Sequence, residues 1–460
     1  MYNRGVGITL VAIVLELLLH VVAQLHPHEP ARYQTLPSLR EQAQILDSWR
    51  DKRLQALPDL MKKYNVDAWL MSQREHAEDT VWWSIKSATE FAAHRRTVVL
   101  FHTYNNISST VSGETILIPN PLTWIDNTGE VWHELRSNLT LLNPQRIAIN
   151  IDENFAFAGG LHVGELAVLH KELGTEWISR FVNEPMLAIE FVAKSIVLPD
   201  QIRYFRRMSE TVWAMIEEAF SARVVRPGKT TTDDLQWWFR EKIQEQNLST
   251  WNQPRVKVID ESSFPGWAGS GSLIQEGDVI HVDFGISAMG MHTDTQHLGY
   301  VLRTSEGEKS VPIGLLEGMK KANRMQEIVL EEMKVGRTGN EVLAAGNRRL
   351  NEENIEGQIY SHPINDFAHG PGATIGFTNL PELVPVFGEL PILPDTFYSI
   401  ELFARHFVME RNETLRFMLE ENVYYRSETR TWEFVRGRQE QFHLVDYKGN
   451  RRSEALRVQA

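Results

Sequence analysis

The sequence predicts an α+β protein in which a smaller α/β domain precedes a larger domain of helices and long hairpins. Three observations predict this fold class. The chain has 460 residues, which is enough for two domains that each bury a core. Helix and strand patterns alternate over residues 36–198. Residues 199–445 contain helix pairs and two long apolar hairpins that carry acidic residues, and residues 446–460 form a polar tail.

The N-terminal segment, residues 1–23, has the layout of a secretory signal. A positive charge at Arg4 precedes an apolar centre, and a small residue, Ala23, stands at its exit. Glu16 and His20 interrupt the apolar run, which disfavours a stable membrane span. We therefore expect a cleaved signal peptide and a secreted or periplasmic mature protein. An uncleaved N-terminal anchor is the alternative, and membrane association is expected only in that case.

The pattern of the first domain begins with a helix over residues 39–66, where apolar residues recur at spacings of three and four. Buried strands are predicted where short apolar runs are bounded by polar turns. These runs are AWLMS, RTVVLFH, TILIP and RIAINI. Strands and helices mixed in this way predict an α/β layer domain.

The second domain begins near Leu198, where two amphipathic helices follow one another. Pro227-Gly228 separates these helices, and Thr231 or Thr232 can cap the second one. The remaining elements are a helix pair at about 312–353, a loop-rich stretch at 358–395 and long strands from 397 to about 425.

Charge and cysteine content narrow the function classes. Asp and Glu outnumber Lys and Arg by 60 to 47, so the net charge is −13. A nucleic-acid partner needs a basic surface for its phosphates, and we expect no such partner here. The chain contains no cysteine, so no disulfide bond can stabilise it in an oxidising compartment.

The first hairpin, His281 to Val301, sets Asp283 and Asp294 in an apolar frame. On a single strand, this odd separation would place their side chains on opposite faces. A turn at residues 288–290 would pair position i with position 577 − i and bring the two aspartates directly opposite each other. Facing carboxylates about 5 Å apart repel each other, so the hairpin predicts a bound divalent cation.

A second hairpin repeats the arrangement. Its strands fold around residues 410–412, which pairs position i with 821 − i and sets Glu401 opposite Glu420. His362 and His369 lie between the hairpins in sequence. Four carboxylates and one imidazole suit two divalent ions ~3.5–4 Å apart, which activate a water and polarise an amide carbonyl. One facing acid pair is more often a solvated surface pair, but two pairs in largely apolar strands disfavour that interpretation.

Five ordered motifs in the C-terminal half resemble those of the pita-bread metallopeptidases, which include aminopeptidase P, prolidase and methionine aminopeptidase. The motifs are HVDFG, TDTQ, AHGPG, SIEL and LEEN. The resemblance covers residues of about 200–440 and implies a pita-bread catalytic domain. The preceding α/β domain is similar to that of aminopeptidase P and prolidase and fits methionine aminopeptidase poorly.

The resemblance also implies roles for five ligands of two metal ions. Asp283 would chelate one metal, and Asp294 and Glu420 would bridge both. His369 and Glu401 would complete the second metal, with Glu401 beside the bridging water as the general base. Manganese is favoured because most of the ligands are oxygens, while zinc, cobalt and iron are the alternatives.

The two histidines admit an alternative alignment. If His362 takes the ligand motif, His369 becomes the later histidine that contacts substrate in aminopeptidase P, because the seven-residue gap fits. We favour His369 as the ligand, since glycines follow it in AHGPG, and expect His362 to face the substrate. A substrate histidine upstream of Asp283 in the family has no counterpart in SSFPGWAGSG. A missing donor of this type can cost ~10²–10³ in rate.

The expected function is a metal-dependent exopeptidase, most plausibly an Xaa-Pro aminopeptidase that acts on peptides. A prolidase-like dipeptidase is the first alternative. A metal-binding homologue without turnover, used as a binding module, is the second. A metal-free relative similar to creatinase is disfavoured, because all five ligand types are present. The resemblance also implies a homodimer.

Overall fold

The computed structural model describes residues 30–104, 108–111, 114–117, 119–126, 128–195, 198–260 and 271–447. The signal peptide or anchor predicted over residues 1–23 lies outside this range, as does most of the polar tail. Within the described residues, no helix has both the length and the apolar character needed to cross a membrane. The molecule is a mixed α+β structure, as the sequence predicts.

The N-terminal domain is built on a five-stranded sheet in the order β5-β2-β1-β6-β7. β1 runs antiparallel to β2 and parallel to β6. Its strands are β1 (Ala68–Arg74), β2 (Arg96–His102), β5 (Leu122–Ile125), β6 (Ile147–Ala148) and β7 (Phe181–Val182), and β3 (Ser108–Val111) pairs separately with β4 (Glu114–Leu117). Its helices are α1 (Leu39–Lys63), α2 (Trp82–Ile85), α3 (Glu130–Leu142), α4 (Val163–Leu173), α5 (Thr175–Ile178) and α6 (Pro185–Ala193).

Helices pack on both faces of this sheet, which explains why the sequence of β1 begins with a continuous apolar run. Trp69 and Met71 belong to the core cluster that includes residues of α1 and α6. Leu70 lies on the opposite face, in the cluster that includes residues of α3 and α4. The predicted long helix, its strand AWLMS and the strand RTVVLFH are all confirmed.

The C-terminal domain is built on a nine-stranded sheet in the order β13-β15-β16-β12-β9-β8, to which β14, β17 and β18 are added. The strands of this sheet are β8 (Arg255–Val258), β9 (Val279–Phe284), β12 (Thr295–Val301), β13 (Glu356–Ile359), β14 (His362–Pro363), β15 (Phe397–Val408), β16 (Glu413–Arg426), β17 (Thr431–Phe434) and β18 (His443–Val445). A separate two-stranded ribbon is formed by β10 (Ser287–Ala288) and β11 (Met291–His292). The α-helices of this domain are α7 (Leu198–Ala219), α8 (Thr232–Glu245), α9 (Ile313–Glu332) and α10 (Gly339–Glu352). The two predicted helix pairs are therefore confirmed.

One face of this sheet is apolar and packs beneath the helices. Ile400 and Leu402 on β15 belong to the core cluster that contains the buried side of α9 and α10. Val282 and Phe284 on β9 belong to the cluster that contains the buried side of α7 and α8. Because side chains alternate along a strand, the residues between these apolar positions point to the opposite face, where the acidic side chains lie.

The structure confirms the predicted register of the second hairpin. The predicted register of the first hairpin is wrong by two residues. Glu401 lies opposite Glu420, as predicted. In the first hairpin, however, Gln296 rather than Asp294 lies opposite Asp283. The reason is a two-residue turn at Met289 and Gly290, both with positive φ, which moves the fold axis by one residue. A shift of two positions preserves the face, so Asp283 and Asp294 still share one side of the hairpin.

Candidate metal centre

A cavity of about 770 Å³ opens on the acidic face of the large sheet. Its floor is formed by β8, β9, β12, β15 and β16, and loop residues between 360 and 387 form one wall. Phe157 reaches the cavity from the N-terminal domain of the same chain. The lining includes all six residues predicted for the site, namely Asp283, Asp294, His362, His369, Glu401 and Glu420.

The four carboxylates come from four separate segments and meet on this face. Asp283 lies on β9, Asp294 just before β12, Glu401 on β15 and Glu420 on β16. Three sets of ligand atoms lie within 4.8 Å of one another and could each hold an ion. They are Asp283, Asp294 and Glu420; His362, Glu401 and Glu420; and Asp294, His362 and His369.

The electrostatics of the cluster show a strong excess of buried negative charge. Desolvation by burial and the neighbouring Glu420 raise the pKa of Asp283 to about 7. The same two causes raise the pKa of Asp294 and that of Glu401 well above their ordinary values. Carboxylates that repel one another in a dry site are stabilised in their ionised form by a cation, so the cluster suits divalent metal.

His362 is oriented as a metal ligand would be. Its Nδ1 lies 3.0 Å from the carbonyl oxygen of Pro363, and it must donate this hydrogen bond because a carbonyl can only accept. In the neutral ring the lone pair is then on Nε2, which is buried and has no hydrogen-bond partner among the residues that the structure describes. This nitrogen lies 3.5 Å from Glu420 Oε1 and 3.7 Å from Asp294 Oδ2. Within the same described part of the chain, Asp294 Oδ1 is likewise buried without a hydrogen-bond partner. These two atoms fit a bound cation.

His369 lies farther out in the same cavity. The residue as a whole is exposed, but its ring packs against the rings of His362 and Trp251, at centroid distances of 4.7 and 5.3 Å. Desolvation and the adjacent His362 lower the pKa of His369 to about 4, so its imidazole is neutral at neutral pH. A neutral ring has one N–H donor and one acceptor nitrogen, so it can donate to a carbonyl oxygen of a bound peptide.

Gln296 is a site residue that the sequence analysis missed. It faces Asp283 in the sheet, and its Nε2 donates hydrogen bonds to Glu401 and to Glu420, the latter at 3.0 Å. Its Oε1 accepts from His281 Nε2 at 3.0 Å. The available signal was its position two residues after Asp294, which places both side chains on one face.

Further hydrogen bonds hold the acidic residues in place. Ser399 Oγ donates to Glu420 Oε1 at 2.7 Å, and the Asn422 side chain accepts from the Asp294 backbone N–H at 3.2 Å. On the opposite face of β16, Glu421 lies 2.8 Å from His297 Nε2. The two buried acids of the LEEN motif therefore have different surroundings, one in the cavity and one behind the sheet.

The N-terminal domain contacts the loop that carries His369. Arg53 on α1 forms two hydrogen bonds with the Asp366 carboxylate, at 2.5 and 3.2 Å, and Ser84 donates to the same carboxylate. The rings of Phe157 and Phe367 meet with centroids 5.0 Å apart. No sequence signal pointed to these contacts, because they join segments about 200 to 300 residues apart.

Comparisons with known proteins agree with this geometry. Residues 202–426 match the model of metallopeptidase family M24. A search of curated protein sequences found no significant match.

Several solved structures share the fold. An X-Pro aminopeptidase from Thermotoga maritima has a TM-score of 0.58 at 15% identity, over 84% of this chain and 100% of that one. An Xaa-Pro dipeptidase from Bacillus anthracis also has a TM-score of 0.58, at 16% identity, over 86% and 100% of the two chains. A variant of Escherichia coli aminopeptidase P has a TM-score of 0.54 at 12% identity, over 85% and 94%. At such identities the likeness concerns the fold.

The family match covers the segment that supplies all four carboxylates and both histidines of the cavity. The structural likeness covers 84–86% of the chain and so extends into the N-terminal domain. Members of this family are divalent-metal peptidases, and the acidic cluster suits such metals. The domain formed by residues 202–426 therefore belongs to metallopeptidase family M24 and has the pita-bread fold.

Proposed function

We propose that the protein is a metal-dependent aminopeptidase that removes one N-terminal residue ahead of proline. The observation that carries this proposal is the cluster of four carboxylates, two buried and two half-buried, with the lone pair of His362 directed at it, in an open cavity. The M24 family supports hydrolysis of a peptide bond. The Xaa-Pro preference is supported by the names of two structural neighbours and by the volume and aromatic lining of the cavity.

We assign Asp283, Asp294, Glu401, Glu420 and His362 as the ligands of two divalent ions. This exchanges the roles of the two histidines. His362 Nε2 lies within 4.0 Å of three carboxylates, those of Asp294, Glu401 and Glu420, whereas His369 is exposed at the outer side of the cavity. Manganese is the proposed metal, since four of the five ligands are carboxylates, and zinc, cobalt and iron are the alternatives.

Divalent ions at this cluster would activate a water and polarise the scissile carbonyl. Glu401 acts as the general base, taking a proton from the attacking water and returning it to the leaving nitrogen. His369, neutral at the working pH, donates a hydrogen bond to the carbonyl oxygen on which negative charge develops. Gln296 holds the carboxylates of Glu401 and Glu420 in position.

The cavity favours a peptide longer than two residues. Its volume of about 770 Å³ is large for a dipeptide and ordinary for a ligand of several residues. Aromatic side chains that suit a proline ring lie along its walls, namely Phe157, Trp251, Phe377 and Phe387. A prolidase-like dipeptidase is the alternative, and the name of a third structural neighbour supports it.

Location and assembly are proposed on other grounds. The layout of residues 1–23 supports a secreted or periplasmic protein. The resemblance to aminopeptidase P and prolidase supports a homodimer. Mass spectrometry of the mature N-terminus tests the first proposal, and light scattering of the purified chain tests the second.

A peptide panel tests the activity. The purified chain is incubated with Mn²⁺ or with a chelator, against Xaa-Pro-peptides, Xaa-Pro dipeptides and Met-Ala-peptides, with products identified by mass spectrometry. The proposal expects chelator-sensitive loss of one residue ahead of proline from the longer peptides. Cleavage of dipeptides alone would identify a dipeptidase. A chain that binds metal and cleaves nothing would be a binding module.

Two variants complete this test. Asp294→Asn removes one carboxylate with almost no change of shape and is expected to abolish both metal retention and cleavage. Glu306→Gln removes an exposed acid outside the cavity and is expected to behave as the unmodified chain. Equal activity of the two variants would contradict the assignment of the cluster.

A further inference from the structure

A loop of the N-terminal domain reaches the cavity and contributes Phe157 to its lining. The loop comprises residues 152–160, between β6 and α4, and we call it the aromatic loop. Among the lining residues that the structure describes, Phe157 is the only one from the N-terminal domain. It is half-buried, so part of its ring can contact a molecule bound in the cavity.

Hydrogen bonds hold the aromatic loop in one conformation. Asp152 Oδ1 accepts from the backbone N–H groups of Asn154 and Phe155, at 2.8 Å each. Asp152 Oδ2 accepts from Asn183 Nδ2 at 2.8 Å. The Ala158 N–H donates to the Phe155 carbonyl oxygen at 2.8 Å and closes a turn. Because the loop would lose these hydrogen bonds if it moved, we expect it to keep its place when a peptide binds.

Two aromatic contacts fix the aromatic loop against the C-terminal domain. The rings of Phe155 and Phe387 meet edge to face, with centroids 5.3 Å apart. The rings of Phe157 and Phe367 do the same at 5.0 Å. Phe367 lies two residues before His369, which we place against the scissile carbonyl. Phe157 therefore borders the part of the cavity where this carbonyl is expected.

This position indicates which substrate residue Phe157 faces. In an Xaa-Pro peptide the scissile carbonyl belongs to the residue ahead of proline. A ring close to the loop of His369, which donates to this carbonyl, is therefore near the side chain of the same residue. A phenyl ring offers apolar contact and no polar group, so in a fixed position it favours apolar side chains and limits their size.

We propose that Phe157 is a specificity-determining residue that contacts the side chain of the residue ahead of proline and sets its largest size. The inference rests on the proposed function and narrows its substrates to peptides that begin with a small apolar residue. The N-terminal domain then takes part in substrate selection, while the C-terminal domain carries the hydrolytic chemistry.

Two peptide series test the proposal. The first varies the residue ahead of proline, in Ala-Pro-Ala, Leu-Pro-Ala and Trp-Pro-Ala. The second varies the residue after proline, in Ala-Pro-Ala and Ala-Pro-Trp. The quantity measured is kcat/KM relative to Ala-Pro-Ala. We expect Phe157→Ala to raise the relative value for Trp-Pro-Ala by about 10-fold or more, because the wall that excludes a large side chain is lost, and to leave that for Ala-Pro-Trp unchanged.

Further variants locate the effect in the ring. Phe157→Tyr keeps the ring and should keep the original preference, whereas Phe157→Trp enlarges it and should lower the relative value for Leu-Pro-Ala. Phe91→Ala removes a side chain of the same domain that is 89% exposed and does not line the cavity, and should change neither series. If Phe157→Ala lowers kcat/KM equally for every peptide, or changes the second series alone, the proposal is overturned.

A binding measurement separates this inference from the activity itself. Calorimetry compares Ala-Pro-Ala and Trp-Pro-Ala analogues whose scissile carbonyl is reduced to methylene, in the Mn²⁺-loaded unmodified chain and in Phe157→Ala. A Kd ratio that shifts by about 10-fold in favour of the Trp analogue supports the proposal even if no peptide is cleaved. An unchanged Kd ratio overturns the proposal and leaves the peptidase function intact. Failure of both analogues to bind would contradict the proposed function and the inference together.

Discussion

At the scale of single residues, the two histidines of the cavity differ in what their ring nitrogens contact. The hydrogen bond from His362 Nδ1 to the Pro363 carbonyl fixes the tautomer and leaves Nε2 toward the carboxylates. Metal-binding histidines are commonly held in this way, with the second ring nitrogen donating to a carbonyl. The sequence alone favoured His369, because glycines follow it, and could not reveal this backbone contact.

Substituting each histidine separately tests which of the two binds metal. We expect His362→Ala to lower metal affinity by more than about 10- to 100-fold, the loss typical of residues that merely orient a ligand. His369→Ala should retain the metal and lower kcat/KM by ~10²–10³, because it removes a donor to the developing oxyanion. Metal content and steady-state kinetics of both variants decide the matter. Loss of metal in His369→Ala alone would restore the original assignment.

The buried acids predict how pH affects the metal-free chain. The pKa of Asp283 is raised from 3.8 to about 7 in the folded state, so the folded chain binds more protons than the unfolded chain between these values. Stability of the metal-free protein therefore falls as pH rises from about 4 to 7, and the raised pKa of Asp294 extends this fall to higher pH.

Metal reverses this trend, because it binds the deprotonated acids. We expect the increase in Tm produced by Mn²⁺ to be larger at pH 8 than at pH 5.5. Differential scanning fluorimetry with and without a chelator measures both effects. A metal-free chain that gains stability steadily from pH 5 to pH 8 would contradict the raised pKa of Asp283.

At the scale of elements, the two hairpins show what sequence can predict about a site. The β15–β16 register followed from a symmetric apolar pattern around one polar turn, and Glu401 met Glu420 as expected. The β9–β12 register was not predicted correctly, because Met289 adopts a positive φ that its residue type does not indicate. The prediction that the acidic side chains share one face of the sheet still held, because a register shift of two residues leaves each side chain on the same face.

Other parts of the site depend on long-range packing and left no local signal. Arg255 on β8 could not be placed opposite Asp283 before the strand order was known. Phe157 reaches the cavity only because the two domains pack together. Periodicity therefore predicts strands, faces and local pairs, whereas neighbours that are distant in sequence need the tertiary structure.

Gly285 is the tightest point of the first hairpin. A Cβ there would lie 1.8 Å from the Thr293 carbonyl oxygen and 2.4 Å from Trp251 Nε1, which donates to that same oxygen. We expect Gly285→Ala to displace the backbone that precedes Asp294, to cost about 1–3 kcal/mol in the free energy of unfolding and to weaken metal binding. Denaturant unfolding and metal titration measure the two effects.

Gly164 provides the matched control. It lies in the first turn of α4, where an added Cβ would meet only the end of the Arg74 side chain at 3.6 Å. Gly164→Ala should be neutral or stabilise the chain by up to about 1 kcal/mol. Equal destabilisation by both substitutions would show that the close approach at Gly285 has no special role.

At the scale of the whole molecule, the N-terminal domain helps to form the site that the C-terminal domain carries. Arg53 and Ser84 hold Asp366, which lies between the two histidines in sequence. The Arg53 and Asp366 side chains are only 11% and 15% exposed, so their pair is better shielded from solvent than a surface ion pair. The loop of His369 is thus supported from outside its own domain.

Removing this support is expected to affect substrate binding. Arg53→Met should cost about 1–3 kcal/mol at the domain contact and raise KM, because the loop that carries His369 loses an anchor. Arg50→Met, on the same helix, breaks only ion pairs with exposed or half-exposed aspartates and should leave KM unchanged. A double-mutant cycle with Asp366→Ala measures the coupling; a coupling of zero would contradict this role.

The central claim is that the acidic cavity holds two divalent ions. Elemental analysis of the chain, equilibrated with Mn²⁺ at pH 8 and freed of excess metal, tests it most directly. We predict two ions per chain, and one or none in Glu420→Gln, because Glu420 belongs to two of the three ligand groups. A chain that retains no divalent ion, or a Glu420→Gln variant that retains two, would contradict the account.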